Sequence, residues 1–176
     1  MVEKIRRVIT GHDENGKSVF IIDGDATAVK EMESMPGLAL TDIWQTGGAP
    51  ASNAGNADAA DRPVVLEPPA NGTIFRVVEF PPDGQWRDRA DARDAFASIG
   101  ADHATDDASD DPMMHKTATV DYLLVLKGEI WAILDDSEVC LKQGDVMVQR
   151  GTNHSWSVRT DEPCLLAAIL VSAEPV

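Results

Sequence analysis

The sequence predicts an all-β protein, a barrel of two antiparallel sheets extended by N-terminal strands, with one short helix in an insertion. Three observations carry this prediction. Short runs rich in β-branched and aromatic residues recur along the chain. Clusters of turn formers separate them, among them Gly11-His12-Asp13-Glu14-Asn15-Gly16, Asp135-Asp136-Ser137 and Gln143-Gly144-Asp145. Only one stretch, inside residues 85–112, has the composition of a helix.

Residues 4–10 (KIRRVIT) and 17–22 (KSVFII) flank the first turn cluster and read as a hairpin, with His12 in its exposed loop. A strand is expected over 38–45 (LALTDIWQ), where both faces carry apolar groups. Residues 46–71, rich in Gly, Ala, Asn, Asp and Pro, read as a long loop. Thr73 to Phe80 (TIFRVVEF) is a strong strand candidate, stopped by Pro81 and Pro82 because proline cannot donate to the ladder.

The insertion over 83–112 follows. Its first half (RDRADARDAFASIG) predicts a helix over 88–99, with Gly100 placed like a C-cap. Its second half carries Asp102, Asp106, Asp107, Asp110 and Asp111 and is expected to be solvated and mobile, a lid over the barrel mouth or a surface loop.

From Met114 onward the pattern becomes denser. His115, Thr117, Thr119, Asp121, Leu123 and Val125 share one parity, so an extended chain points them all to one face. The strand resumes at Glu129 after Lys127-Gly128, reverses into 138–141, and reverses again into 146–149. Arg150-Gly151-Thr152-Asn153 then delivers His154. Strands over 155–159 and 164–172 close the chain, the second apolar on both faces. Tyr122 has the opposite parity to the site residues and is expected outside the barrel.

These residues resemble the two short motifs of the cupin superfamily. His115, Thr117, Asp121 and Gly128 fall on the H, H, E and G positions of its first motif. Gly144, Gln149, Gly151 and His154 fall on the G, P, G and H positions of its second, with one residue fewer after the first glycine. Thr117 stands where the family has a histidine ligand, and Asp121 where it has a glutamate. The resemblance implies a jelly-roll barrel in three stretches of one domain: 1–82 as N-terminal strands and loop packing on the barrel, 83–112 as the insertion, and 113–176 as the barrel core.

It also implies a small-molecule enzyme acting on an organic acid, phenol or ketone, by oxygenase, decarboxylase, lyase or isomerase chemistry. His115, Asp121 and His154 are its expected catalytic residues and its ligands for a divalent metal, namely Fe, Zn, Mn or Ni. The alternatives are a barrel that binds a small molecule without metal, and an acid–base pair of histidines oriented by Asp121. Thr117, Gln149, Trp131 and Trp156 are candidate substrate contacts, with core the preferred reading of the two tryptophans. His103 reads as exposed or as a third histidine swung in from the acidic loop.

A formal net charge of -15 argues against nucleic acid and anionic membrane as partners, since both draw on clustered cations. Nothing in the first residues resembles a signal peptide, and the expected location is cytoplasmic. Cys140 and Cys164 match no CxxC spacing and are expected as reduced thiols in strands. Strands apolar on both faces need covering, which predicts a homodimer.

Overall fold

Period-two alternation becomes eleven strands in the computed structural model, which describes residues 2–87, 91–106 and 108–175. In chain order they are β1 (Arg6–His12), β2 (Ser18–Asp25), β3 (Val29–Glu31), β4 (Ala39–Thr46), β5 (Thr73–Phe80), β6 (Thr119–Lys127), β7 (Glu129–Ile133), β8 (Glu138–Lys142), β9 (Val146–Arg150), β10 (Ser155–Ser157) and β11 (Cys164–Ser172). The one α-helix among the described residues is α1 (Ala92–Ala97), whose first turn is capped by the Asp91 side chain accepting from the Asp94 N–H. Residues 88–90, where the expected helix begins, lie outside the described residues.

The strands form a six-stranded sheet in the order β3-β4-β5-β11-β6-β9 and a three-stranded sheet in the order β10-β7-β8. All pairings are antiparallel. Between the two sheets lies one core cluster, in which Leu123, Val125, Leu166 and Leu170 face Ile130, Ala132 and Trp156. This is the expected two-sheet barrel. A glycine is required between β6 and β7: Gly128 has φ +77, and a Cβ there would stand 2.8 Å from the Pro163 carbonyl oxygen.

Two features depart from the sequence expectations. The three-residue strand β3 was not anticipated, and the acidic half of the insertion is anchored rather than simply solvated. Asp111 accepts from Arg87 Nη2 at 2.7 Å and from the Met113 N–H, while Asp106 accepts from Asn153 Nδ2 at 2.8 Å. The insertion joins a second core cluster, where Trp86, Phe96, Ile99 and Met113 pack on Met32, Met35, Leu38 and Leu40. It therefore closes one end of the barrel as a wall.

The hairpin β1–β2 forms a sheet of its own, and His12 ends its first strand, exposed. Ile5 and Ala26 at its base cover Ile43, Val77 and Leu165 on the outer face of the large sheet. Farther along that face, Tyr122, Leu124, Leu126, Val146 and Val148 remain exposed. Both cysteines are free, and burial pushes the Cys164 thiol up to about 12. No described helix is long and apolar enough to cross a membrane.

Candidate active site

The fully buried polar residues on the inward face of the six-stranded sheet are Asp42, Arg76, Thr119, Asp121 and Gln149. Three of them, Arg76, Asp121 and Gln149, line a cavity of about 910 Å³, its open mouth included. The cavity runs from the inner face of the large sheet to the insertion, whose Trp86, Phe96 and Ile99 complete the wall with the adjoining Met113. Thr117, His115, His154 and Trp156 line the same space.

Backbone pairing fixes the two histidines relative to each other. The His115 N–H donates to the His154 carbonyl and the His154 N–H to the His115 carbonyl, each at 2.9 Å, in an isolated antiparallel bridge. Gly151 makes the approach possible: its φ is +59, and a Cβ would stand 3.3 Å from the Thr117 carbonyl oxygen. The imidazoles consequently lie side by side, with centroids 4.1 Å apart. Phe96 at 4.7 Å from His115 and Trp156 at 5.8 Å from His154 extend them into a row of four rings.

Hydrogen bonds set the tautomers. His115 Nδ1 lies 2.8 Å from the Met113 carbonyl and His154 Nδ1 lies 2.9 Å from the Thr152 carbonyl. A carbonyl only accepts, so each Nδ1 carries the proton and each Nε2 keeps its lone pair. His154 Nε2 is 2.8 Å from Gln149 Nε2, an amide that donates to it. Burial holds both imidazoles below the usual histidine range, His154 well below it, and the charge of either would repel the other. Both are neutral bases at neutral pH.

Asp121 is the cross-strand partner of Gln149 in the β6–β9 ladder, so carboxylate, amide and imidazole follow one another as Asp121, Gln149 and His154. Burial pushes the Asp121 carboxyl up to about 6, while the Thr119 hydroxyl and the Arg76 charge pull it back down. Asp121 Oδ1 and Gln149 Oε1 are buried acceptors without a donor. An orphaned buried acceptor costs roughly 1–3 kcal/mol, so both atoms mark a place where a ligand would restore a bond.

Tested against a divalent cation, the donors suit in kind: two imidazole nitrogens with committed Nδ1 protons and two unsatisfied oxygens in one pocket. Among the described residues, however, no three His, Cys, Asp or Glu side chains gather closely enough to hold a metal ion.

The other sequence candidates separate clearly. Thr117 is buried in the site, its Oγ1 bonded to the Thr119 hydroxyl at 2.6 Å. Trp156 is both core and cavity wall. Trp131 does not line the cavity; its ring lies under the Arg159 guanidinium at 4.3 Å. His103 stays outside it, paired with Glu67 Oε2 at 3.1 Å. Sequence reasoning missed Arg76 and Phe96. Arg76 was detectable, because it shares its parity with Ile74, Val78 and Phe80 inside an apolar strand.

No protein-family model matches the chain. The phomopsin biosynthesis cluster protein C' of Diaporthe leptostromiformis is 30% identical over 161 residues, which span 88% of this chain and 70% of that relative. The cupin-domain-containing oxidoreductase virC of Hypocrea virens is 28% identical over 180 residues, covering 97% of this chain and 77% of its own. The Schizosaccharomyces pombe Cnp3 cupin domain aligns in structure with a TM-score of 0.48 at 13% identity, over 97% of this chain and 89% of that one.

Proposed function

Because the chain belongs to the cupin superfamily, we propose that it is an oxidoreductase acting on a small, largely apolar molecule, with the His115–His154 pair as its chemical centre. The observation that carries this reading is the pair of Nε2 lone pairs held side by side in a largely apolar cavity. Relatives named as cupin-domain-containing oxidoreductases and as biosynthesis cluster proteins support the reaction class.

His115 Nε2 is the base in this scheme, since no donor among the described residues occupies it and burial keeps it neutral. His154 is held in place by Gln149, and Asp121 offers an acceptor to a substrate hydroxyl or, when protonated, a donor to a substrate carbonyl. Phe96 and Trp156 bracket the pair and keep water from it. A divalent transition metal would be held by the Nε2 atoms of His115 and His154, displacing the Gln149 amide from the latter, with the unsatisfied oxygens of Asp121 and Gln149 as further acceptors in the same pocket. It would supply Lewis-acid polarisation of a substrate oxygen.

A second reading, acid–base chemistry or binding without metal, is favoured by the absence of a three-ligand cluster among the described residues. Elemental analysis of protein purified without chelator decides between the two, followed by calorimetric titration with iron(II), zinc and nickel. About one equivalent in the parent and none in His154→Ala is the result expected of a metal enzyme. A parent that carries no metal and takes up none on titration overturns the metal assignment and leaves the acid–base pair.

A further inference from the structure

Arg76 has no part in the chemistry just described, yet it is the cation of the cavity wall. It sits on β5 facing inward, 2% exposed, among Ile74, Val78 and Phe80. Its Nε donates to Asp42 Oδ1 at 3.0 Å, across the β4–β5 ladder, and its terminal nitrogens donate to the carbonyls of Val65 and Leu66. The other Asp42 oxygen accepts from Arg62 Nη2 at 2.9 Å. Two guanidinium groups thus share one carboxylate beside an apolar space, Arg62 partly exposed and Arg76 inside, with Asp121 acting on Arg76 at longer range.

Asp42 and, at longer range, Asp121 offset the charge of the buried arginine, because an uncompensated buried charge is costly. Two further details turn Arg76 toward the cavity. A guanidinium has five N–H donors, and the bonds to Asp42, Val65 and Leu66 engage one on each nitrogen, leaving two without an acceptor among the described residues. Beside Arg76 on β11 stands Ala168, whose small side chain also lines the cavity. Asp121 makes no hydrogen bond to Arg76. It lies on β6, beyond β11, so about 10 Å of sheet separates the two backbones.

We propose that Arg76 anchors the carboxylate of an amphipathic organic acid, whose apolar body fills the cavity and whose far end reaches the histidine pair. A guanidinium with spare N–H groups is the side chain that suits a carboxylate. The inference rests on the cavity being the substrate site and is independent of any metal.

Calorimetry with 3-phenylpropionate and its neutral isostere 3-phenylpropionamide tests it. The parent should bind the acid at least about tenfold more tightly than the amide, a preference that 0.5 M salt weakens. Arg76→Gln, in which Asp42 retains Arg62, should lose that preference while binding the amide within about threefold of the parent. Arg62→Gln, which removes a cation that does not line the cavity, should keep most of it. Equal binding of acid and amide by the parent overturns the anchor without touching the histidine site, and needs no variant to fold. A folded Arg76→Gln that loses both probes equally assigns the arginine a structural role and also overturns it. Failure of either probe to bind the parent counts against both the anchor and the cavity as a substrate site.

Discussion

Two polar clusters are buried in the same barrel, and they are built on opposite principles. Around Asp42 the groups are charged: Arg76 and Arg62 surround one carboxylate that is wholly buried, with backbone carbonyls accepting further hydrogen bonds from the guanidinium groups. Around His154 they are mostly neutral: two imidazoles, an amide and a threonine beside the single carboxyl of Asp121, with buried acceptors left over. The first cluster is held together by attraction between its own members. The second is held by the backbone, through the His115–His154 bridge, and its side chains are left free to meet something else. Removing a member should therefore cost stability in the first and binding in the second.

The largest effect is expected at Asp42. Asp42→Asn leaves Arg76 buried without its counter-charge and should destabilise the fold by about 3–5 kcal/mol, read from urea unfolding. A loss below 1 kcal/mol would mean that solvent or another acid already compensates the arginines, and the contrast between the clusters would fail.

Asp121 comes next, and pH separates its effect from the rest. Its folded carboxyl, raised from 3.8 to about 6, binds a proton more tightly than in the unfolded chain. The stability it contributes is thus full below pH 3.8 and lost as pH rises through about 6. In chelator-treated protein, Asp121→Asn should be more stable than the parent by about 3 kcal/mol at pH 7.5, with the difference vanishing near pH 3.5. A constant difference across that range would show that the carboxylate is not destabilised by its surroundings.

Thr117→His sharpens the comparison from the other side, by adding a neutral ligand where the family pattern has one. Metal affinity should rise about tenfold in calorimetric titration, roughly 1.4 kcal/mol, while turnover falls as an open position is filled. Affinity equal to the parent's would indicate that the pair does not hold a cation.

The smallest effect on folding is expected on the outer face, where we propose that a second copy of the chain covers Tyr122, Val146 and Val148. Val146→Glu with Val148→Glu should convert a dimer to a monomer by light scattering, with folding stability unchanged to within about 0.5 kcal/mol. A monomeric parent sinks this assignment.

Most of the barrel was legible because alternation has only two phases. Thr73 to Phe80, with its flanking prolines, is read without ambiguity, as is the common parity of His115, Thr117 and Asp121. What escaped was structure made by distant partners. Nothing local marks Val29–Glu31 as a strand, because its three residues are defined by pairing with β4. The insertion's acidic half looked solvated since Arg87 and Asn153, which hold Asp111 and Asp106, are remote in sequence. Trp131 and Trp156 were indistinguishable for the same reason: only the sheet arrangement puts one under Arg159 and the other beside His154. The charged cluster did leave a trace, two opposite charges each on the apolar parity of its strand, at Asp42 beside Leu38 and Leu40 and at Arg76 beside Ile74 and Val78.

The wall built by the insertion divides labour within one cavity. Shape on one side comes from Trp86, Phe96, Ile99 and Met113, whereas the reactive nitrogens are clamped by main-chain bonds between residues 115 and 154. Selection acting on 83–113 can thus retune which molecule is admitted while the reacting atoms stay where the main chain puts them. The barrel behaves as a chassis with an exchangeable face, and transplanting that segment between relatives is a route to new substrates at constant chemistry.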